Sequence, residues 1–187
     1  LLMIRSGITS VDPLITNHGV KFGEYFLATI HRPVNTDSIE RLGNILSGLD
    51  TLPFPVILPL HPRTKNLMNV SVIEEKRFQN IRFISPQSYR SMVCFMSGAK
   101  AIITDSGGIQ KEAYILKVPC VTLRNTTEWI ETVQDGWNIL VDADIEALHK
   151  AIDYFSTSVR DVHLMRYGDG KASQNIVQQI RNFILKT

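Results

Sequence analysis

The stretch Thr104-Asp105-Ser106-Gly107-Gly108-Ile109-Gln110-Lys111-Glu112-Ala113 decides how this chain is read. It follows an apolar run, Ala101 to Ile103, and opens a segment with helical spacing, which makes it a strand-to-helix turn. Two consecutive glycines let a ligand approach the backbone without Cβ interference. The helix start behind them offers unpaired N–H groups and roughly half a positive charge. Phosphate suits such a turn. Ser106 can donate its hydroxyl and cap the helix, Asp105 closes the strand at the same rim, and Glu112, about one turn on, can accept from ribose hydroxyls. The same Asp-Ser-Gly-Gly also serves elsewhere as an ordinary surface turn, so its neighbours carry the argument.

Outward from this turn, short β-prone runs alternate with helical patterns from Tyr25 onward. The predicted strands are Tyr25 to Ile30, Val56 to Leu60, Ile81 to Ile84, Ala101 to Thr104, Pro119 to Leu123 and Asn138 to Val141. Most are apolar on both faces, as buried parallel strands are. Between them, Asp37 and Glu40 form a capping pair ahead of a stripe of Ile39, Leu42, Ile45, Leu46 and Leu49. Further helices are expected from Ser88 to Met96, Ile109 to Leu116, Ile145 to Phe155 and Ala172 to Leu185, with loops at Ser156 to Arg160 and Gly168-Asp169-Gly170. The fold class is α/β, a Rossmann-like parallel sheet with helices on both faces.

In such sheets ligands bind beyond the carboxyl ends of the strands. Here the strands run into Thr29-Ile30-His31-Arg32, Leu60-His61-Pro62-Arg63-Thr64, Thr104-Asp105-Ser106 and Leu123-Arg124-Asn125-Thr126-Thr127-Glu128. Two histidines, three arginines and two carboxylates would share one rim. Arg suits bidentate phosphate contact, and His exchanges protons near neutrality. The pairing of His31 with Arg32 and of His61 with Arg63 favours a site over scaffold histidines. The pair Thr126-Thr127 ahead of Glu128 and Glu131 serves equally well as a helix cap or as ligand contacts, and Trp129 and Trp137 read as packing residues.

The chain has 187 residues, 44% of them hydrophobic, enough to bury one main core. Its net charge of +2 comes from interspersed signs, with no basic block of the kind that marks nucleic-acid or anionic-membrane binding. No apolar run approaches the ~20 residues that cross a bilayer. Cys94 and Cys120 fall in apolar patterns without metal spacing, which predicts buried thiols and a cytoplasmic protein. Residues 1–24 carry no strand-turn-helix unit and read as the remnant of an inter-domain segment, with the domain proper at 25–187.

With these residues assembled, the chain resembles the C-terminal half of the non-hydrolysing UDP-N-acetylglucosamine 2-epimerases, a family with the two-domain GT-B architecture. The resemblance rests on TIHRPVN at Thr29 to Asn35, LHPRT at Leu60 to Thr64, TDSGGIQKEA at Thr104 to Ala113, TLRNTTEWIE at Thr122 to Glu131 and YGDGKAS at Tyr167 to Ser173. It covers nearly everything after Tyr25. Val34 departs from the carboxylate usual in the family's HR motif, and Lys111 from a second Glu beside the ribose-binding one.

The resemblance implies that Ser106, Gly107 and Gly108 cradle the phosphates of UDP and that Glu112 holds the ribose. It makes His31 the catalytic residue of this half. Arg32, His61, Arg63, Asp105, Arg124, Thr127 and Glu128 are the remaining candidates for UDP-sugar contact. It also implies no metal or diffusible cofactor, a homodimer in the full-length protein, and an N-terminal domain carrying the catalytic carboxylates, for which residues 1–24 hold no counterpart. Lys111 and TEWIE lean toward the branch acting on other UDP-2-acetamido sugars, including diacetamido uronates. A GT-B glycosyltransferase and a non-catalytic UDP-sugar binding domain are the rival readings. NAD chemistry ranks low, because no Gly-x-Gly-x-x-Gly follows a strand.

Overall fold

Alternation within each strand splits its side chains between two helical layers, and this splitting builds the fold. In the computed structural model, which describes residues 1–5, 7–8, 12–71, 73–158 and 163–185, the strands are β1 Phe26–Thr29, β2 Val56–Pro59, β3 Ile81–Ile84, β4 Ala101–Thr104, β5 Cys120–Thr122 and β6 Asn138–Leu140. These are the expected strands, most of them trimmed by a residue or two. All neighbours pair in parallel in the order β3-β2-β1-β4-β5-β6, a Rossmann arrangement whose two halves diverge at β1 and β4.

One core joins Phe26, Ala28, Val56, Leu58, Ala101 and Ile103 to helices α4 (Ile39–Asp50) and α9 (Ile145–Thr157). The intervening residues Leu27, Ile57, Ile102 and Cys120 face the other way, toward α6 (Tyr89–Gly98) and α7 (Gly107–Leu116). The period of two in these strands thus assigns each residue to a layer. Burying one such Leu or Ile stabilises the fold by about 2 kcal/mol. Cys94 and Cys120 are buried free thiols, and burial pushes both up to about 12.

Several short helices escape the apolar pattern. Pro opens α2 (Pro13–Thr16), α3 (Pro33–Thr36) and α5 (Pro62–Val70), where its fixed φ suits a first helical position and its missing N–H is not needed. With α1 (Leu2–Arg5), they were not expected; α8 (Ile130–Gln134) follows the Thr126-Thr127 pair read as a helix cap or as ligand contacts, with Trp129 in the cap position. The segment before Tyr25 packs α1 and α2 on α6 and sends Ile15 and Val20 into the second core.

Two caps differ from expectation. Ser38, not Asp37, caps α4 by accepting from the Arg41 amide, because the Asp37 carboxylate is engaged by Arg63. Ser106 occupies the cap position of α7, but its hydroxyl makes no capping bond. Helix α9 continues over Ser156 and Thr157, where a loop was expected, and Val159 and Arg160 of that loop lie outside the described residues. At the end, α10 (Ala172–Ile184) is exposed at every residue. Among the described residues no helix is long and apolar enough to cross a membrane.

Candidate functional site

The loops that leave β1 and β4 begin side by side, because Thr29 and Thr104 are partners in register and their hydroxyls lie 2.6 Å apart. This is the switch point of the sheet, where helices depart to opposite faces and open a crevice. His31 and Arg32 leave from β1, Asp105 and Ser106 from β4, His61 from β2 and Arg124 from β5.

Asp105 organises the crevice from beneath. It is 0% exposed, so the expected contact with ligand gives way to a role inside the protein. Its carboxylate accepts from the backbone amides of His31 (3.0 Å) and Arg32 (2.8 Å) and from Asn35 Nδ2 (3.1 Å). The His31 ring also brings Nδ1 to 3.2 Å from it. A carboxylate only accepts, so the facing nitrogen carries the proton and Nε2 is left to titrate. Asn35, which the sequence reading overlooked, is fully buried and ties this loop to the Leu123 carbonyl at 3.0 Å. Its own oxygen accepts from Arg41, which pairs in turn with Asp142.

Burial lowers the pKa of His31 from its ordinary value; Asp105 pulls it up, while His61 and Arg32 push it down. The His31 and His61 rings stand 5.2 Å apart. Nδ1 of His61 accepts from the Arg63 amide and caps α5, so the neutral ring keeps its proton on Nε2. Arg63 itself is not turned to the crevice. Its Nε donates to Thr36 and a terminal nitrogen pairs with Asp37, which brackets α5 to α3. Arg63 thus clamps the two loops together.

The start of α7 sets buried Gly107 beside exposed Gly108. Helix geometry gives the Gly107, Gly108 and Ile109 amides no intrahelical acceptor, and the first bond runs from the Gln110 amide to the Ser106 carbonyl. A Cβ on Gly107 would lie 3.2 Å from Glu128 Oε2, 3.6 Å from Trp129 Nε1 and 3.8 Å from Arg32 Nη2. Gly107 is therefore ringed by a carboxylate, an indole N–H and a guanidinium. A Cβ on Gly108 would meet only Ser106 Oγ, at 4.0 Å. Glu112 sits one turn beyond Gly108 on the same helix face, and its Oε1 accepts from the Tyr89 hydroxyl at 3.0 Å.

The loop after β5 completes the rim. Arg124 donates through both terminal nitrogens to Glu128, at 2.8 and 3.0 Å, which holds the Glu128 carboxyl down at about 2. Thr127 faces inward instead of toward ligand. Its hydroxyl donates to buried Gln110 at 2.6 Å and accepts from the Trp129 amide. Trp129 does more than pack. Lys111 places its ammonium 4.8 Å from the Trp129 ring and 5.0 Å from Tyr167, so the lysine braces the indole that borders Gly107. Beside Arg32 and Arg124 lies a cleft of about 540 Å³, lined also by Val34, Arg41, Thr126 and Asp142.

Comparison with known proteins accords with this geometry. The family model for UDP-N-acetylglucosamine 2-epimerase matches residues 3–181. A UDP-N-acetylglucosamine 2-epimerase homolog from Methanococcus maripaludis is 46% identical over 85% of this chain and 45% of its own length. A Pseudomonas aeruginosa UDP-2,3-diacetamido-2,3-dideoxy-D-glucuronate 2-epimerase is 37% identical over 83% of this chain and 44% of its own. The structure of UDP-GlcNAc 2-epimerase from Methanocaldococcus jannaschii superposes with a TM-score of 0.82 at 35% identity, covering 97% of this chain and 52% of that one. A crystal structure of that organism's enzyme in complex with UDP-GlcNAc and UDP gives 0.81, at 35% identity over 97% and 51% of the two chains. The chain thus spans about half the length of the relatives it matches. With the family model covering nearly all of its residues, the chain belongs to the UDP-N-acetylglucosamine 2-epimerase family.

Proposed function

We propose that this chain is the UDP-binding domain of a UDP-N-acetylglucosamine 2-epimerase, which interconverts UDP-N-acetylglucosamine and UDP-N-acetylmannosamine by eliminating and re-adding UDP. The observation that carries this reading is the meeting of the α7 start, Arg32 and the Arg124 loop around Gly107, beside an oriented His31. The amides of Gly107 and Gly108 and the Ser106 hydroxyl take the phosphates, Arg32 and Arg124 balance their charge, and Glu112 takes the ribose hydroxyls.

In elimination, the C2 proton is removed and its electron pair forms the glycal double bond. The C1–O bond breaks, and its pair leaves on the β-phosphate oxygen. Re-addition forms that bond again and delivers the proton to the opposite face of C2. The charge that grows on the departing diphosphate lies where the helix start and the arginines already point. His31, held neutral near pH 7 by its lowered pKa, exchanges a proton through Nε2. The carboxylates that act at C2 belong to a preceding domain in this reading. That domain would also cover α10, where Ile176, Val177 and Ile180 present an exposed apolar face. The assembled protein is read as a cytoplasmic homodimer that supplies a nucleotide sugar for polysaccharide synthesis.

Calorimetric titration of the chain with UDP tests the binding half of this reading. Saturable binding that weakens in Ser106→Ala and Glu112→Ala is expected; no binding by the folded chain, even with the preceding domain added, overturns it. Adding that domain is also expected to produce epimerisation that the chain alone lacks. Conversion only in the presence of an acceptor would favour a glycosyltransferase, and unaltered UDP-sugar a binding module. The Pseudomonas aeruginosa relative and the Lys111 substitution support a second reading, a diacetamido uronate as the sugar. The UDP-sugar that the assembled protein epimerises decides between the two.

A further inference from the structure

Glu128 has the wrong sign for the ligand that its neighbours suit. Its Oε2 lies 3.2 Å from the Cβ position of Gly107, against the first turn of α7, where unpaired amides and Arg32 concentrate positive potential. The same carboxylate occupies both terminal nitrogens of Arg124. It thus occupies Arg124 outright and stands beside the α7 start, two of the three positive features that a diphosphate would use. Its side chain is 55% exposed, so it can rotate outward without unpacking the core. The Arg124 side chain, at 16% exposed, is the more fixed partner. Two anions cannot share this rim, because like charges a few ångströms apart in a partly desolvated site repel strongly.

We infer that Glu128 is an internal competitor of the nucleotide's phosphates: without ligand its carboxylate stands in for an anion at Gly107 and Arg124, and a nucleoside diphosphate displaces it. This inference rests on the reading of the Gly107 turn as a phosphate cradle. It makes Glu128 a residue that weakens affinity, the reverse of the contact role expected from its place in the motif. A residue that merely oriented Arg124 for the ligand would have the opposite effect when neutralised.

The two roles separate in calorimetric titrations of the chain with UDP, UMP and uridine at one ionic strength. The proteins compared are the wild type, Glu128→Gln, which keeps the shape and one acceptor, and Glu128→Ala. Glu128→Gln is expected to tighten UDP about tenfold, UMP less, and uridine not at all, since the gain tracks phosphate charge. Glu128→Ala should follow the same order. UDP binding that is unchanged or weaker in both variants, or uridine gaining as much as UDP, overturns the inference and leaves the cradle standing. Absence of UDP binding by all three proteins even with the preceding domain added, and with far-UV spectra showing each folded, overturns the cradle and the inference together.

Discussion

Asp105 holds His31 twice, once through the backbone amide at 3.0 Å and once through the ring nitrogen at 3.2 Å, so one buried carboxylate sets both the loop and the imidazole. Asp105→Asn preserves the shape and can keep its oxygen toward the His31 and Arg32 amides and Asn35, which turns the N–H₂ toward the His31 ring. The ring must then switch tautomer so that Nδ1 accepts, and every remaining hydrogen bond loses its charged acceptor. The expected loss is about 2 kcal/mol in urea unfolding, within the range for hydrogen bonds to a charged group. A loss below about 0.5 kcal/mol would contradict the accounting.

The lowered pKa of His31 gives stability a pH dependence of known sign. Between its folded value and the ordinary 6.5, the unfolded chain binds more protons than the folded one. The contribution is therefore present above about pH 6.5 and is lost as pH falls through the folded pKa. Against His31→Gln, the wild type should lose relative stability as buffers go from pH 7 to pH 5. Ring-proton chemical shifts should place its titration midpoint below 6.5, and a midpoint above that value would refute the ordering of burial over Asp105.

Adjacent glycines should behave differently. Gly107→Ala puts a methyl 3.2 Å from Glu128 Oε2 and into the space read as the phosphate site, whereas Gly108→Ala meets nothing nearer than 4.0 Å. Helix interiors favour Ala over Gly by up to about 1 kcal/mol, so Gly108→Ala, with open space at its Cβ position, should hold or raise the thermal midpoint. At Gly107 crowding by Glu128 opposes that gain, and the midpoint of Gly107→Ala should lie below that of Gly108→Ala. UDP affinity is expected to fall tenfold or more in Gly107→Ala and much less in Gly108→Ala; equal losses would remove Gly107 from the centre of the cradle.

Tyr89 reaches from α6 to Glu112, and its hydroxyl is the hydrogen bond that Tyr89→Phe deletes. Both groups are accessible, so stability should change by less than about 0.5 kcal/mol. If Glu112 holds the ribose, the looser carboxylate should weaken uridine and UDP alike, by about two- to fivefold, as expected for one modest hydrogen bond. Calorimetry with both ligands checks this, and a change confined to UDP would assign Tyr89 to the phosphates instead.

The six strands are legible in the sequence because a parallel strand covered on both faces is a short, continuous apolar run. Their carboxyl ends are legible too, and with them the neighbourhood of His31, Arg32, Ser106, Gly107 and Arg124. Orientation is not. Nothing in the letters shows that Asp105 faces inward, that Arg63 turns to Thr36 and Asp37, or that Thr127 serves Gln110, because short polar side chains after a strand can face either way. Asn35 follows Pro33 in a helix of four residues, too short for any periodicity to show. The four-residue helix at Pro13 was missed for the same reason, and the nine-residue helix at Pro62 because it buries only Thr64 and Met68 and so shows no apolar stripe.

The exposure of α10 bears on how this chain behaves in solution. An isolated helix of thirteen residues is marginal in water, and packing on the sheet does not secure one exposed along its whole length. Its far-UV ellipticity should fade gradually on warming, well before the sheet melts cooperatively. Any surface that covers Ile176 and Ile180 would couple winding of the helix to association, giving that association a large negative heat capacity. Heat capacity would then report how much of the winding of α10 waits on its being covered.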